Sequence, residues 1–229
     1  MENVGTLYIV ATPIGNLEDM TLRAIRILKE VDCVLCEDTR TTGKLLKKYD
    51  IQTKTMSYHA HSTKGKESVI INMLADGKNL ALVSDAGTPC ISDPGVMLVA
   101  EARGVFGASA RIVPIPGPSA LVSALSASGV STAEFTFLGF LPHKKGRETL
   151  FKEIASSERA MVFYESTHRI LKTLESLEKH TPKFKVVIAR ELTKVFEEFI
   201  EGTPAEVLEY LNTNKEKQRG EFVVIVVPR

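Results

Sequence analysis

Short apolar runs alternate with amphipathic stretches along the whole chain. The runs at 6–11 (TLYIVA), 31–36, 80–83 and 110–115 are rich in β-formers and bounded by polar residues, which predicts buried strands. A further strand is expected to run out into a polar end at 57–61. Between these runs, Leu22, Ile25 and Leu28 recur at helical spacing and predict a helix starting near Asp19 that buries that face. A short helix bearing Lys44, Lys47 and Lys48, a helix over about 63–76, one after Pro94 and one after Pro118 complete the first half. Strand, polar turn and helix in repetition, with helices long enough to cross over, predict a mostly parallel sheet.

The second half keeps this alternation with strands expected at 134–141 (EFTFLGFL), 159–164, 185–190, 195–200 and 221–227. Thr203-Pro204-Ala205-Glu206 has the form of a helix start, with a capping hydroxyl, proline at the first helical position and glutamate at the third. The strands at 185–190 and 195–200 lie too close for a crossover helix, so the second sheet is expected to be mixed. The pattern restarts between 117 and 130 without a flexible linker. The expected organisation is therefore two α/β domains, 1–118 and 119–229.

Composition narrows the function. With 29 basic and 28 acidic side chains among 229 residues, net charge alone gives no reason for nucleic-acid binding, and any such contact must come from local patches. Three cysteines form neither a disulfide framework nor a zinc pattern, which points to a reduced cytoplasmic protein. Cys33 and Cys36 spell CxxC inside an alternating strand and are expected to be core thiols. No leader, membrane span or metal site is expected. Residues 11–16 lack the spaced glycines of a dinucleotide fingerprint, and no Gly-Lys-Ser/Thr marks a triphosphate loop.

The strand ends at 12–16, 37–40, 57–61, 84–88 and 116–120 are polar, and in a parallel sheet they share one edge. Within SDAGTP, Asp85 offers a carboxylate, while Gly87 and Thr88 are expected to turn backbone amides toward a ligand. Asp93-Pro94-Gly95 reads as a helix cap. The second half adds polar strand ends at 139–147, 164–169 and 190–194.

Thr12-Pro13-Ile14-Gly15-Asn16-Leu17, Cys36-Glu37-Asp38-Thr39-Arg40, Ser84-Asp85-Ala86-Gly87-Thr88-Pro89, Pro114-Ile115-Pro116-Gly117-Pro118-Ser119-Ala120, Phe137-Leu138-Gly139-Phe140-Leu141-Pro142, Phe163-Tyr164-Glu165-Ser166 and Ala189-Arg190-Glu191-Leu192-Thr193-Lys194 occur in this order over nearly the whole chain. Together they resemble the tetrapyrrole methylase superfamily. Within it they are similar to the branch of bacterial small-subunit ribosomal RNA 2′-O-ribose methyltransferases that act on a cytidine. The resemblance implies S-adenosylmethionine as donor, a cofactor cleft between the two domains, and usually a homodimer. Donor contacts carried over fall on Ile14, Asp85, Thr88, Ser119, Ala120, Glu165 and Leu192. The first turn is poorer in glycine than is common in the superfamily, and Ser84-Asp85-Ala86-Gly87 replaces Gly-Asp-Pro. Both departures match the RNA-modifying branch.

In-line methyl transfer to a ribose hydroxyl benefits from a proton acceptor. Asp38 and Glu191 are the first candidates, and His59 is the second, being of the side-chain type that changes charge near neutrality. Arg40 and Arg190 are expected to fix phosphate or base. Lys144, Lys145 and Arg147 form the expected RNA-binding loop; Lys44, Lys47 and Lys48, and Lys215, Lys217 and Arg219, are further basic clusters. The expected partner is the small ribosomal subunit, with no membrane. The alternatives are a methyltransferase for a precorrin-like small molecule and a non-enzymatic module that binds the donor or RNA.

Overall fold

Two five-stranded sheets arise from the alternating runs, and a computed structural model describes them over residues 4–59 and 64–228, residue 64 through its backbone alone. Compact units form at Met1–Ser119 and Ala120–Arg229.

In the first unit, β1 (Thr6–Val10), β2 (Cys33–Cys36), β3 (Thr55–Ser57), β4 (Leu80–Leu82) and β5 (Arg111–Ile115) pair in the order β3-β2-β4-β1-β5. Every pairing is parallel. The helices α1 (Leu22–Glu30), α2 (Thr39–Lys48), α3 (Lys64–Ala75) and α4 (Val96–Phe106) connect the strands. Residue alternation divides each strand between two cores. Val34, Cys36, Ala81 and Val83 pack with Ala24, Ile27, Leu28, Leu45 and Leu46 of α1 and α2. Cys33, Leu35, Leu80 and Leu82 pack with Ile70, Leu74, Leu98 and Ala102 of α3 and α4. Helices thus cover both faces, and the two thiols of CxxC are buried on opposite sides of the sheet, where burial pushes both thiol pKa values up.

The neighbouring strands β1 and β4 send their connections in opposite directions, β1 toward β2 and β4 toward β5. Such a reversal opens a crevice at the carboxyl ends of the two strands.

The buried face of α1 departs from the expected one at its first residue. Thr21 caps the helix by accepting the Ala24 amide at 3.1 Å, and Ala24, Ile27 and Leu28 face the sheet, while Leu22 is 87% exposed. Ala24 begins the buried i, i+3, i+4 stripe and Ile25 packs at its border, so of the three expected residues only Leu22 lies off the core. Residues 60–63, which include the end of the polar stretch at 57–61 and the expected start of α3, lie outside the described residues.

The second unit contains α5 (Ala120–Ala127), β6 (Phe135–Phe140), α6 (Arg147–Ser156), β7 (Ala160–Ser166), α7 (Ile170–His180), β8 (Lys185–Arg190), β9 (Glu198–Gly202), α8 (Pro204–Thr213) and β10 (Glu221–Val227). The order is β6-β7-β10-β8-β9, with β6 and β7 parallel and the other neighbours antiparallel, a mixed sheet as expected. Phe163, Val186, Ile188, Val224 and Val226 form its main core with Phe151, Leu174, Leu177, Val207 and Leu211 from α6, α7 and α8. Helix α8 starts with the expected capping box between Thr203 and Glu206. Strand β9 begins later than expected, at Glu198 rather than 195, because residues 191–197 are consumed by turns. Glu191 and Thr193 adopt left-handed φ values of 51° and 65°, and Val195 is left 93% exposed. The carboxyl ends of β6, β7 and β8 and the amino ends of β9 and β10 share one edge of this sheet.

Candidate active site

The carboxyl edge of the parallel sheet is laced together by its loops. Thr12, just beyond β1, exchanges two backbone hydrogen bonds of 2.9 Å with Gly87, beyond β4. The buried Thr12 hydroxyl donates to the Ser84 carbonyl at 3.0 Å, and the Ser84 hydroxyl lies 3.2 Å from the carbonyl of Ala86 and 3.1 Å from that of Gly87. The Thr88 hydroxyl donates to the Pro118 carbonyl beyond β5 at 3.0 Å, and the Asp38 amide beyond β2 donates to Asp85 Oδ1 at 3.2 Å. Four strand ends therefore meet on the loop at 84–88. Its turn requires glycine at 87, where φ is 80° and an added Cβ would stand 3.3 Å from Ile14 Cγ2.

Ile14, Asp85, Thr88 and Ser119 therefore lie on adjoining loops at one sheet edge, with Asp85 exposed and its carboxylate anchored from one side. The Gly87 amide, however, is spent on the Thr12 carbonyl and is not turned toward a ligand. Nor does the Asp93 side chain cap α4, whose N-cap is Gly95 and which starts without a side-chain cap hydrogen bond. Asp93 instead joins a carboxylate-rich edge. Burial, then Asp93 and Asp85, push the Glu37 carboxyl above its ordinary pKa; burial and then Asp85 do the same for Asp93. The crevice is negative, which favours a cationic ligand over a phosphate.

The two carboxylates expected to act as bases are committed elsewhere. Asp38 caps α2 and receives Arg40 Nε at 3.1 Å, Nη2 at 2.8 Å and the Arg40 amide at 2.8 Å. Those hydrogen bonds hold its carboxyl at about 2. Its pKa is depressed on folding, so the pairing contributes fully above the ordinary aspartate value and is lost as pH falls toward about 2. Arg40 remains largely exposed and is aimed by this pairing. His59 lies just past β3, also exposed; beneath it Tyr58 is buried, donates to Glu67 at 3.2 Å, and has its phenol pushed to about 12 by burial and then by Glu67.

In the second unit, the exposed edge is shaped by buried ionic contacts. Arg190 is 8% exposed and donates to the Arg219 carbonyl at 2.9 Å and to the Phe196 carbonyl at 3.1 Å, so it holds the 191–197 turn and does not project toward a phosphate. Glu191 accepts from Lys194 Nζ at 2.8 Å and from the Glu221 amide at 2.9 Å. Burial raises its pKa, but Lys194, the Glu221 amide and Arg190 outweigh that effect, and the carboxyl sits below its ordinary range. Leu192 is buried. The carboxylate of Glu165 has no exposed surface, so a donor contact at this position would fall to its main chain. Arg147 is drawn inward to Glu165 and Thr173, leaving Lys144 and Lys145 as the exposed cations of that loop, beside an exposed His143. Lys217 likewise is bound to Glu198 at 2.6 Å and leaves the third basic cluster.

The sequence motifs assign no role to Thr12, Ser84, Arg169 or Thr173, which organise these sites. For Thr12 and Ser84 the available signal was a hydroxyl placed at the end of an apolar strand. Arg169 stands four residues after its partner Glu165, a spacing present in the sequence, whereas Thr173 meets Arg147 only when α6 and α7 pack.

A low proton affinity makes Asp38 and Glu191 poor general bases. Asp38→Asn and Glu191→Gln are each expected to lower kcat for methyl transfer less than about tenfold, whereas loss of a general base costs roughly a hundredfold or more. Single-turnover rates at saturating donor and substrate check this.

Among the described residues, no group of three or more histidine, cysteine or carboxylate side chains is placed to hold a metal ion. No described helix is long and apolar enough to cross a membrane.

The family model for Tetrapyrrole (Corrin/Porphyrin) Methylases matches residues 6–208. A ribosomal RNA small subunit methyltransferase I from Vibrio cholerae serotype O1 is 48% identical over 223 residues, 96% of this chain and 76% of that protein. Among solved structures, the methyltransferase CobJ matches with a TM-score of 0.69 at 18% identity, over 97% of this chain and 94% of that one. Uroporphyrin-III C-methyltransferase from Thermus thermophilus, in complex with S-adenosyl homocysteine, matches with a TM-score of 0.63 at 16% identity, over 97% of each chain. With two α/β units, strand-end loops gathered on Ser84 to Thr88 and a family match over most of its length, the chain belongs to the tetrapyrrole (corrin/porphyrin) methylase family.

Proposed function

We propose that this methyltransferase uses S-adenosylmethionine to methylate the 2′-hydroxyl of a cytidine ribose in small-subunit ribosomal RNA. The observation that carries the donor assignment is the exposed, anchored Asp85 at the switch between β1 and β4, inside a carboxylate-rich edge. A donor bearing a sulfonium and an ammonium group suits that field, while a nucleoside triphosphate does not. Ile14, Asp85, Thr88, Ser119 and Ala120 are its proposed contacts; Leu192 rests on the family resemblance alone. The substrate assignment draws on the 48% identical relative, named for small-subunit ribosomal RNA, and on exposed cations at Arg40, Lys144 and Lys145. A cytoplasmic homodimer is part of the same reading.

S-adenosylmethionine, when bound, supplies a methyl group on a positively charged sulfur. The chain's own residues hold and aim the reactants. Asp85 accepts hydrogen bonds from the donor's polar end, and the interlocked loops keep it from moving during the reaction. Arg40, steadied by Asp38, meets a phosphate near the reacting ribose. His59 takes the proton that the 2′-hydroxyl loses as its oxygen gains the methyl group.

Incubation with methyl-labelled donor and unmodified small subunits, in parallel with a precorrin-type macrocycle, tests this reading. Label is expected in the RNA. Label in the macrocycle alone, or donor binding with no transfer to either, would instead establish one of the two rival functions.

A further inference from the structure

Glu165 is the hub of a buried network in the second unit. Its Oε1 accepts the Ser166 amide at 2.9 Å and lies 3.2 Å from Arg169 Nε. Its Oε2 accepts the Thr173 hydroxyl at 2.7 Å and stands 3.9 Å from Arg147 Nη2. Thr173 Oγ1 in turn accepts from Arg147 Nη2 at 2.7 Å. One carboxylate therefore orients two guanidinium groups, and both reach the same stretch of main chain. Arg147 Nη1 donates to the Pro142 carbonyl at 3.3 Å, while Arg169 Nη2 donates to the carbonyls of Leu141 and Pro142.

The consequence falls on the loop that these carbonyls begin. Leu141 is buried, and Arg147 is the first residue of α6, so the segment between them is pinned at both ends. The Arg147 amide donates to the Lys144 carbonyl at 3.2 Å and Gly146 turns the chain at a φ of 84°, which closes the loop. His143, Lys144 and Lys145 are left exposed on it. A buried ion cluster of this kind adds little net stability, because desolvation offsets its attraction. What it supplies here is a fixed loop shape, and a fixed shape lowers the ordering cost when long cationic side chains bind a polyanion.

The geometry points to Glu165 as a positioning residue for RNA capture: acting through Arg147, Arg169 and Thr173, it holds the 143–145 loop in the shape that presents Lys144 and Lys145 to an RNA backbone. This inference rests on the ribosomal RNA reading and extends it to a residue that touches neither donor nor RNA.

The test uses the full chain with Glu165→Gln and, separately, Thr173→Val, which removes the relay hydroxyl but keeps every charge. Binding to small subunits is titrated at several salt concentrations, and S-adenosylmethionine binding is measured by calorimetry on the same samples. Glu165→Gln is expected to weaken RNA binding about tenfold and to lower the slope of log affinity against log salt by about 1 to 2, the share of two phosphate contacts. Donor affinity stays at the wild-type value. Thr173→Val shifts RNA affinity the same way by about threefold, as one lost hydrogen bond allows. Combining Glu165→Gln with Lys144→Ala and Lys145→Ala gives less than the sum of the separate losses, because the same contacts are lost in both. Should Glu165→Gln fail to fold, Thr173→Val and its combination with the lysine variants decide the matter. Wild-type RNA affinity and salt slope in the folded variants would overturn the inference, as would a loss of donor affinity with RNA binding retained. Absence of RNA binding by the wild-type chain would overturn the ribosomal RNA reading and this inference with it.

Discussion

Replacement of Asp85 by alanine is expected to weaken S-adenosylmethionine binding by about tenfold to a hundredfold, the value of a charge-assisted hydrogen bond lost from a preformed site. The carboxylate is exposed, so its removal leaves no buried group unsatisfied apart from a weakened partner for the Asp38 amide, itself near the surface. Thermal stability therefore changes little while affinity falls. Because Glu37 and Asp93 carry pKa values raised in part by Asp85, the variant also relieves their repulsion and lowers both. Calorimetry with the donor measures the first effect directly. An unchanged dissociation constant would return the 84–88 loop to the status of a surface turn.

The second large effect is expected at Gly87. Valine there must adopt a φ of 80°, a conformation that β-branched residues avoid, and its Cβ would meet Ile14 Cγ2 at 3.3 Å. Backbone strain and crowding together cost about 2–4 kcal/mol. At roughly 2–4 °C per kcal/mol for a chain of this size, the melting temperature falls by several degrees or more. Function suffers as well as stability, because Gly87 holds Thr12 through two backbone hydrogen bonds and adjoins Thr88, which bonds to Pro118. A chain that stays folded should still lose donor affinity, since Asp85 and Ile14 are displaced with the loop. Melting and calorimetry on Gly87→Val check the two effects independently; native behaviour in both would show that the loop tolerates another path.

Much of this arrangement could be read before any coordinates. Runs of β-formers separated by helical spacing identified the parallel sheet, and topology then required the polar ends at 12–16, 37–40 and 84–88 to share an edge. The Thr203-Pro204 start, with Glu206, also reads directly, since a capping box is local chemistry. Phase was harder than period. The stripe on α1 keeps the expected Ile25 and Leu28 at the core, yet Ala24 and Ile27 join them in place of Leu22, because small Ala24 permits the close approach and Thr21 sets where the helix begins. The alternating run at 195–200 looks like a strand, but two left-handed residues turn the chain before β9 can pair.

Charged residues were the least legible. In sequence, Arg147 and Arg190 look like Lys144 and Lys145. In the fold, both arginines are largely buried with partners distant along the chain, and both lysines are exposed. Whether a charge binds a ligand or another side chain depends on nonlocal packing, which neither spacing nor composition encodes. The same holds for Glu165, whose motif suggested a donor contact and whose carboxylate proves to be enclosed.

Identification of the modified nucleoside after reaction with methyl-labelled S-adenosylmethionine and unmodified small subunits separates ribose methylation of ribosomal RNA from every rival activity. Digestion of the ribosomal RNA to nucleosides and mass spectrometry should place the label in 2′-O-methylcytidine at a single position, and Asp85→Ala should remove most of it. Label on a base, on another ribose, or on no nucleoside at all would contradict cytidine 2′-O-methylation by this protein.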